Sequence, residues 1–181
     1  YEWARLNVPE ALRHARTAST LDSAVLKEVH RTLLGDIYPW AGKFRTMALF
    51  KDQTQFRPAV SDDSVNAVFA KFAASADTDR AHMGKCAGHL ARLWGGLNHE
   101  HPFVEGNGRA TQIVVTVAAE RLGWEVDWAK LKRVDELDAA IRSCMVALGD
   151  NRFNGYHDVL MRIMVPGRGS APAQDDLRPE K

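Results

Sequence analysis

The 181-residue chain lacks the features that mark several common protein classes. Its two cysteines, Cys86 and Cys144, fall in helical patterns and form no CxxC pair or other zinc spacing, which favours buried thiols in a reducing compartment over a disulfide. No apolar run reaches the length of a membrane-spanning helix, and the chain does not start with a signal peptide. Lys and Arg number 24 against 23 Asp and Glu, so the net charge of +1 gives no basis for a nucleic-acid groove or a membrane surface.

The two common glycine-rich phosphate-binding patterns, GxxxxGK[ST] and GxGxxG, are also absent. What the chain does contain is the polar stretch HPFVEGNGR, residues 101–109, between two apolar helical segments. Within nine residues this stretch combines two glycines with a titratable base, a carboxylate, an amide and a guanidinium; these are His101, Glu105, Asn107 and Arg109. Such a combination calls for a chemical explanation rather than a purely structural one.

Each of these residue types suits chemistry on a phosphate ester. Glycines let the backbone approach a ligand, and a loop placed before a helix binds anions through unpaired amides and the helix dipole. Arg109 offers a fork that matches phosphate, and Glu105 is an oxygen ligand of the kind that Mg²⁺ prefers. His101 lies at the other end of the loop, where it can accept a proton. Together they indicate phosphoryl or nucleotidyl transfer from a magnesium-bound nucleotide.

The stretch resembles the signature of the Fic family, HPFx[DE]GNGRxxR, at every defined position except the last, where Gln112 replaces the second arginine. The aromatic turn at residues 38–42, YPWAG, also resembles the WAG-like turn that commonly precedes a short hairpin in this family. The resemblance implies an enzyme of protein AMPylation, which transfers AMP from ATP and Mg²⁺ to a hydroxyl side chain of a target protein. Because glutamine cannot make the arginine fork, we expect weakened use of ATP.

The resemblance also implies roles for individual residues. His101 would deprotonate a Ser, Thr or Tyr hydroxyl of the target, which then attacks the α-phosphorus of ATP, while Glu105 would hold Mg²⁺. Phe103 would anchor the loop in the core. The residues expected to bind the nucleotide are Gly106, Asn107, Gly108, Arg109, Gln112, Lys51 and Asp52.

Residues 43–58 fit a short β-hairpin with a polar tip at residues 51–53. Its alternation puts Phe44, Thr46 and Ala48 on one face and Arg45, Met47 and Leu49 on the other. In Fic proteins the equivalent flap covers the nucleotide and holds the target segment as an added strand. The resemblance therefore makes Thr46, Met47, Ala48 and Leu49 the target-binding flap, and a purely structural hairpin is the alternative.

Helical spacing of apolar residues covers most of the remaining chain. We predict a helix after Pro9, a second over 21–34 with Thr20 as cap, and a third from the cap Ser61 to a linker at 75–79. A fourth helix covers 83–97, with glycines weakening its end. The last three helices cover 110–122, 129–148 and 152–164. Propensity favours a strand within 110–122, but its length and the preceding loop favour a buried helix. The predicted fold is all-α, a compact bundle of about seven helices with one short β-hairpin flap, comprising a Fic domain at 1–165 and a disordered tail at 166–181.

Alternatives remain for the function. Gln112 leaves open a degenerate Fic fold that only binds a nucleotide or a protein, an enzyme using another nucleotide donor, or one that removes AMP. A Doc-like kinase is disfavoured, since its loop has lysine where this chain has Gly108. The histidines His82, His89 and His99 suggest a metal site, in which His99 and His101 could bind zinc. This alternative is disfavoured because no carboxylate pattern partners them.

The expected partners are a target protein and a small inhibitory protein of the antitoxin type. Many Fic proteins carry an inhibitory helix of pattern [ST]xxxE[GN], and the nearest match here, Thr116 to Glu120, is followed by Arg121 inside the predicted buried helix. The inhibitor is therefore expected to be separate, or to lie outside this chain. No nucleic acid or membrane partner is expected. The expected location is the cytoplasm, or a host cell into which the domain is secreted as part of an effector.

Overall fold

The computed structural model describes residues 5–51, 54–56, 58–76, 80–131 and 153–167. Within these ranges the chain forms six named α-helices and two small antiparallel sheets. The elements in chain order are α1 (Val8–Thr17), α2 (Ser23–Leu34), β1 (Phe50–Lys51), β2 (Thr54–Gln55), α3 (Asp62–Ala76), α4 (Met83–Glu100), α5 (Asn107–Arg121), β3 (Trp124–Val126), a 3₁₀ turn (Trp128–Lys130), α6 (Asn154–Ile163) and β4 (Met164–Pro166). The predicted all-α architecture with a short hairpin is confirmed.

Helices α4 and α5 form the centre of the fold. Helix α4 packs against α3, α5 and α6, and α5 also packs against α1 and α2. Along α5 the buried positions cover nearly the whole circumference, including Val114, Val115 and Val117. Full burial of such side chains contributes about 1.5–3 kcal/mol each, which outweighs the small helix-propensity cost of β-branched residues. The prediction of a buried helix here is confirmed, and the helix starts at Asn107 rather than at residue 110.

Helix α4 continues to Glu100, so the prediction that Gly95 and Gly96 weaken its end at residue 97 is wrong. These glycines instead permit close helix packing. A Cβ on Gly95 would lie 2.2 Å from a ring carbon of Phe153, and one on Gly96 would lie 2.6 Å from a methyl group of Val68. The two glycines therefore let neighbouring elements approach α4, and the helix carries straight on to the polar loop.

Capping side chains confirm the predicted start of α3 and correct the predicted start of α2. Ser61 Oγ accepts a hydrogen bond from Ser64 N at 3.2 Å, as predicted for the cap of α3, and that helix runs on to Ala76. The predicted cap Thr20 is wrong, because Asp22 Oδ1 accepts from Val25 N at 2.9 Å and α2 begins at Ser23. A carboxylate in that position satisfies an otherwise unpaired helix N–H.

The first hairpin is shorter than residues 43–58. Among the residues described there, Phe50–Lys51 pairs with Thr54–Gln55, extended by a bond from Phe56 N to Leu49 O at 2.9 Å. The predicted alternation is wrong for Arg45, which is buried because its guanidinium binds backbone carbonyls at the end of α4. The segment from Thr46 to Leu49 consequently precedes the paired strand instead of belonging to it.

The second sheet was not predicted. Strand β3 pairs antiparallel with β4 in the register Trp124–Pro166, Glu125–Val165 and Val126–Met164. Residue 166, assigned above to the tail, therefore belongs to a paired strand. The tail beyond residue 167, most of the helix predicted over 129–148, and Cys144 lie outside the described residues. Cys86 is buried.

In the part of the chain that the structure describes, no helix combines the length and the apolar character that crossing a membrane requires.

Candidate functional site

The candidate base, His101, forms the C-cap of α4 in a left-handed backbone conformation, with φ 46° and ψ 59°. Among the described residues it is the one non-glycine residue with positive φ. Its N–H donates to Leu97 O at 3.0 Å, and its ring stacks on Phe56 with centroids 4.2 Å apart. A left-handed conformation costs about 1–2 kcal/mol for an L-residue, and such strain persists where surrounding contacts enforce it, often at functional sites.

The loop after His101 folds back on the start of α5 through the side chain of Asn107. Asn107 Oδ1 accepts from Phe103 N at 2.8 Å, and its Nδ2 donates to Phe103 O at 2.7 Å. Asn107 is buried and its amide closes the loop, while its contact with the nucleotide stays a prediction. Phe103 is fully buried, and its predicted role as an anchor in the core is confirmed.

The N-terminus of α5 is built to approach an anion. Gly106, its N-cap, has φ 81°, and a Cβ there would lie 2.3 Å from a methyl carbon of Leu34. Gly108 is exposed, and a Cβ on it would meet nothing within 4 Å, so it borders open space. The helix supplies no acceptors for its first-turn N–H groups, and its dipole adds partial positive charge there. This end of α5 can therefore hold a phosphate.

Glu105 and Arg109 form an ion pair at this opening. Arg109 Nη2 lies 3.0 Å from Glu105 Oε1, and half of the Glu105 side chain is exposed, at 50%. The described residues contain no group of three or more His, Cys, Asp or Glu side chains that could hold a metal ion. A single accessible carboxylate still fits Mg²⁺, which binds through one or two carboxylates together with substrate phosphates and water.

His30 joins the loop to the body of the domain, a role that sequence analysis missed. Its Nε2 lies 2.8 Å from Glu105 O, and Gly42 N donates to its Nδ1 at 2.9 Å. With Nδ1 accepting, the Nε2 atom carries the proton and donates to Glu105 O. The ring is fully buried and stacks on Phe103, with centroids 3.7 Å apart. Burial lowers the pKa of His30, which keeps the ring in this neutral form.

This geometry predicts a pH dependence of folding. Because the pKa of His30 is lower in the folded chain, the unfolded chain binds more protons, and stability falls as the pH drops below about 6.5. We expect the loss in free energy of unfolding between about pH 7.5 and about pH 5.5 to be smaller in His30→Gln than in the wild type. Denaturant titration at both pH values measures it. The pKa of His89 is also lowered by burial, but His89 is present in both proteins and cancels. Equal losses would contradict the prediction.

The remaining predicted site residues that the structure describes lie in α5, in β1 and in the segment leading into β1. Gln112 is partly buried in α5, one turn beyond Arg109, and Lys51 lies in β1, while Asp52 is outside the described residues. The flap residues Thr46, Met47, Ala48 and Leu49 lead into β1. Exposed apolar side chains occur in this hairpin and in the loop; these are Met47, Phe50 and Val104.

Arg45 is the second residue that sequence analysis missed. Its guanidinium donates to His101 O at 2.7 Å, Glu100 O at 3.0 Å and Met47 O at 2.7 Å. The side chain is 2% exposed, so these bonds are made away from water. An arginine at an alternating position of a presumed hairpin carries no signal of such a role, because its partners Glu100 and His101 lie 55 and 56 residues away.

The chain matches a known protein family and is similar in sequence to proteins of known name. The model of the Fic/DOC family matches residues 20–119, which include the loop and the hairpin. A probable protein adenylyltransferase of Sinorhizobium fredii, y4lH, is 32% identical over 149 residues, which cover 78% of this chain and 75% of that protein. The protein adenylyltransferase VbhT of Bartonella schoenbuchensis is 31% identical over 122 residues, which cover 65% of this chain and 25% of VbhT.

Solved structures share the fold at low identity. BepC of Bartonella tribocorum, determined with AMPPNP, superimposes with a TM-score of 0.66 at 19% identity, covering 93% of this chain and 87% of that chain. The N-terminal Fic domain of a VirB-translocated Bep effector of Bartonella quintana, determined with ADP, gives a TM-score of 0.70 at 19% identity, covering 93% and 86%. At this identity the likeness supports the fold alone.

Proposed function

The chain belongs to the Fic/DOC family, and from that premise we propose that it is a protein adenylyltransferase, which transfers AMP from ATP to a hydroxyl group on a target protein. The relatives named protein adenylyltransferases support an enzyme of this class. The observation that carries the proposal is the arrangement of two helix ends. His101 closes α4 and Gly106 opens α5, so a base and an anion-binding helix N-terminus are joined by a short loop.

In the proposed reaction His101 accepts the proton of a Ser, Thr or Tyr hydroxyl as that oxygen attacks the α-phosphorus of ATP. A new oxygen–phosphorus bond forms, the bond between the α-phosphorus and the bridging oxygen breaks, and pyrophosphate leaves. The first-turn N–H groups of α5 and the Arg109 guanidinium hold the phosphates and stabilise the charge that develops on them. Histidine is the side chain most often used as a general base near neutral pH, which suits it to this proton transfer.

Glu105 is the residue proposed to hold Mg²⁺, and when bound the ion would neutralise charge on the leaving pyrophosphate. Glu105 and Arg109 form an ion pair at 3.0 Å, in which their charges neutralise each other. In the proposed complex this pair would open, because Arg109 would contact phosphate and Glu105 would hold the cation. The exposure of both side chains keeps the cost of opening low, since exposed ion pairs contribute about 0–1 kcal/mol.

The proposal is tested by incubating the domain with a protein lysate and ATP labelled at either the α or the γ phosphate. We expect label on protein from the α position alone, with the reaction requiring magnesium. Label from the γ position would indicate a kinase. Absence of protein label from both donors, although ATP binds, would favour the alternative in which the fold acts only as a binding module.

We further propose that a separate small protein inhibits the enzyme. The Glu120 carboxylate, the nearest match to an inhibitory glutamate, is paired with Arg16 at 2.9 and 2.6 Å, at the far end of α5 from the loop. It therefore supports α1 packing instead of reaching the nucleotide. Bacterial expression of the domain alone should slow growth only when His101 is intact, and harmless expression of an active domain would contradict this extension.

A further inference from the structure

We propose that Arg45 is a positioning residue for the His101 base and couples the base to the hairpin. The inference rests on the proposed function, because it assigns Arg45 an effect on the rate of AMP transfer. Arg45 would act without touching the substrate, through the backbone of His101.

The bonds of Arg45 converge on the junction between α4 and the loop. Its guanidinium binds the carbonyl oxygens of Glu100 and His101 at 3.0 and 2.7 Å, and its backbone N–H donates to Pro102 O at 2.9 Å. Three consecutive residues around the base are therefore held by one residue. The same guanidinium binds Met47 O at 2.7 Å, at the entry to the hairpin.

These bonds meet a specific need of the helix end. The last four carbonyls of a helix have no partner within it, and a cation near them also interacts favourably with the helix dipole. A guanidinium offers five donors in a fixed planar fork, so it can satisfy several carbonyls at once. Burial lowers the pKa of Arg45, opposed by the charge of the Glu100 carboxylate, yet a guanidinium remains protonated in proteins.

The consequence concerns the left-handed backbone of His101. That conformation is intrinsically unfavourable for histidine, so the direction of the ring depends on the contacts that enforce it. Arg45 supplies such a contact at the His101 carbonyl itself. Without the fork, the backbone at residue 101 can relax and the ring moves relative to the phosphate site, and misplacement of a catalytic group by about 1 Å can lower rates about 100-fold.

The fold contains a matched control in Arg121. Its guanidinium also binds three carbonyl oxygens at a helix end, those of Ala15, Ala18 and Ser19 at the end of α1, at distances of 3.3, 2.6 and 3.3 Å. The chemistry of this cap is the same, but none of these acceptors belongs to the loop. A purely structural role for Arg45 would therefore resemble that of Arg121.

The experiment compares Arg45→Lys and Arg45→Met with Arg121→Lys and Arg121→Met. Lysine keeps the charge without the fork, so it tests geometry even if methionine prevents folding at either site. We expect Arg45→Lys to lower kcat for AMP transfer about tenfold with KM for ATP changed by no more than about twofold, whereas Arg121→Lys lowers thermal stability and leaves kcat within about twofold. Equal effects on kcat at the two sites, or no effect at residue 45, would overturn the proposal.

A second measurement separates this inference from the proposed function. The NMR signal of the His101 ring Cε1–H, assigned by comparison with His101→Ala, reports the surroundings of the ring without any substrate. It should shift in Arg45→Lys and stay in place in Arg121→Lys. If the wild-type domain transfers no AMP but this shift occurs, the proposed function fails while Arg45 still positions the ring. An unshifted signal in Arg45→Lys would overturn the inference even in an active enzyme.

Discussion

His101→Ala is expected to lower the rate of AMP transfer by about 10²–10⁴-fold, the usual effect of removing a general base. The fold should survive because the contacts that hold the loop at this position use the backbone of residue 101, which donates to Leu97 O and accepts from Arg45. Alanine keeps both groups. Nucleotide affinity should remain close to that of the wild type, because the proposed phosphate contacts come from α5.

The matched control for this variant is His99→Ala. His99 is exposed in the last turn of α4, two residues before the base. We expect it to transfer AMP at nearly the wild-type rate, measured with the α-labelled donor, while both variants bind ATP in calorimetry. A His101→Ala enzyme as fast as the wild type would remove His101 from the role of base. A His101→Ala enzyme that no longer bound ATP would show that the residue organises the phosphate site.

The loop at residues 101–109 is recognisable from sequence because its chemistry is local. Nine consecutive residues carry all the charged and polar groups concerned, and the helix after them follows from length and apolar content. In the structure, the side-chain amide of Asn107 forms two hydrogen bonds with the backbone of Phe103, four residues earlier. Sequence reasoning did not find this contact, because a pattern records residue types and does not show which of them form hydrogen bonds with each other.

The supports of the loop could not be predicted because they are long-range. His30 reaches the carbonyl of Glu105 across 75 positions, and Arg45 reaches that of His101 across 56. In the sequence, His30 continues an amphipathic helix and Arg45 continues an alternating segment. Only the packing of α2 against α5 brings His30 to the loop, and only the fold of the segment before β1 brings Arg45 to the end of α4.

Contacts that the sequence does not show also explain the wrongly predicted helix ends and the missed second sheet. Gly95 and Gly96 suggest a helix terminus when only propensity is considered, but contacts with Phe153 and Val68 give them a packing role inside α4. Strands β3 and β4 are three residues each and about 40 positions apart, too short for their alternation to be detected. A local signal such as the cap at Ser61 can be read from the sequence, although at α2 the prediction chose Thr20 and the cap is Asp22.

Gln112→Arg is expected to increase the affinity for ATP by about one to two decades. A charged hydrogen bond to phosphate contributes roughly 1.5–3 kcal/mol, which corresponds to about 10- to 100-fold in affinity. Position 112 lies one helical turn beyond Arg109 in α5, and residues three apart on a helix are neighbours on its surface. An arginine there can add a second fork next to the first, whereas glutamine reaches less far and carries no charge.

The measurement is ATP affinity by calorimetry together with the transfer rate from the α-labelled donor. Gln112→Lys serves as the matched control, because it restores the charge without the bidentate fork and should gain less than arginine. A gain in both quantities would mean that the natural glutamine attenuates an otherwise intact enzyme, since His101, Glu105 and the start of α5 are unchanged. A gain in affinity without a gain in rate would mean that the arginine stabilises bound ATP and the transition state equally. Such uniform binding leaves the rate of the chemical step unchanged. No gain in either would mean that residue 112 does not contact the phosphates of ATP, and the triphosphate would then have to extend away from this face of α5.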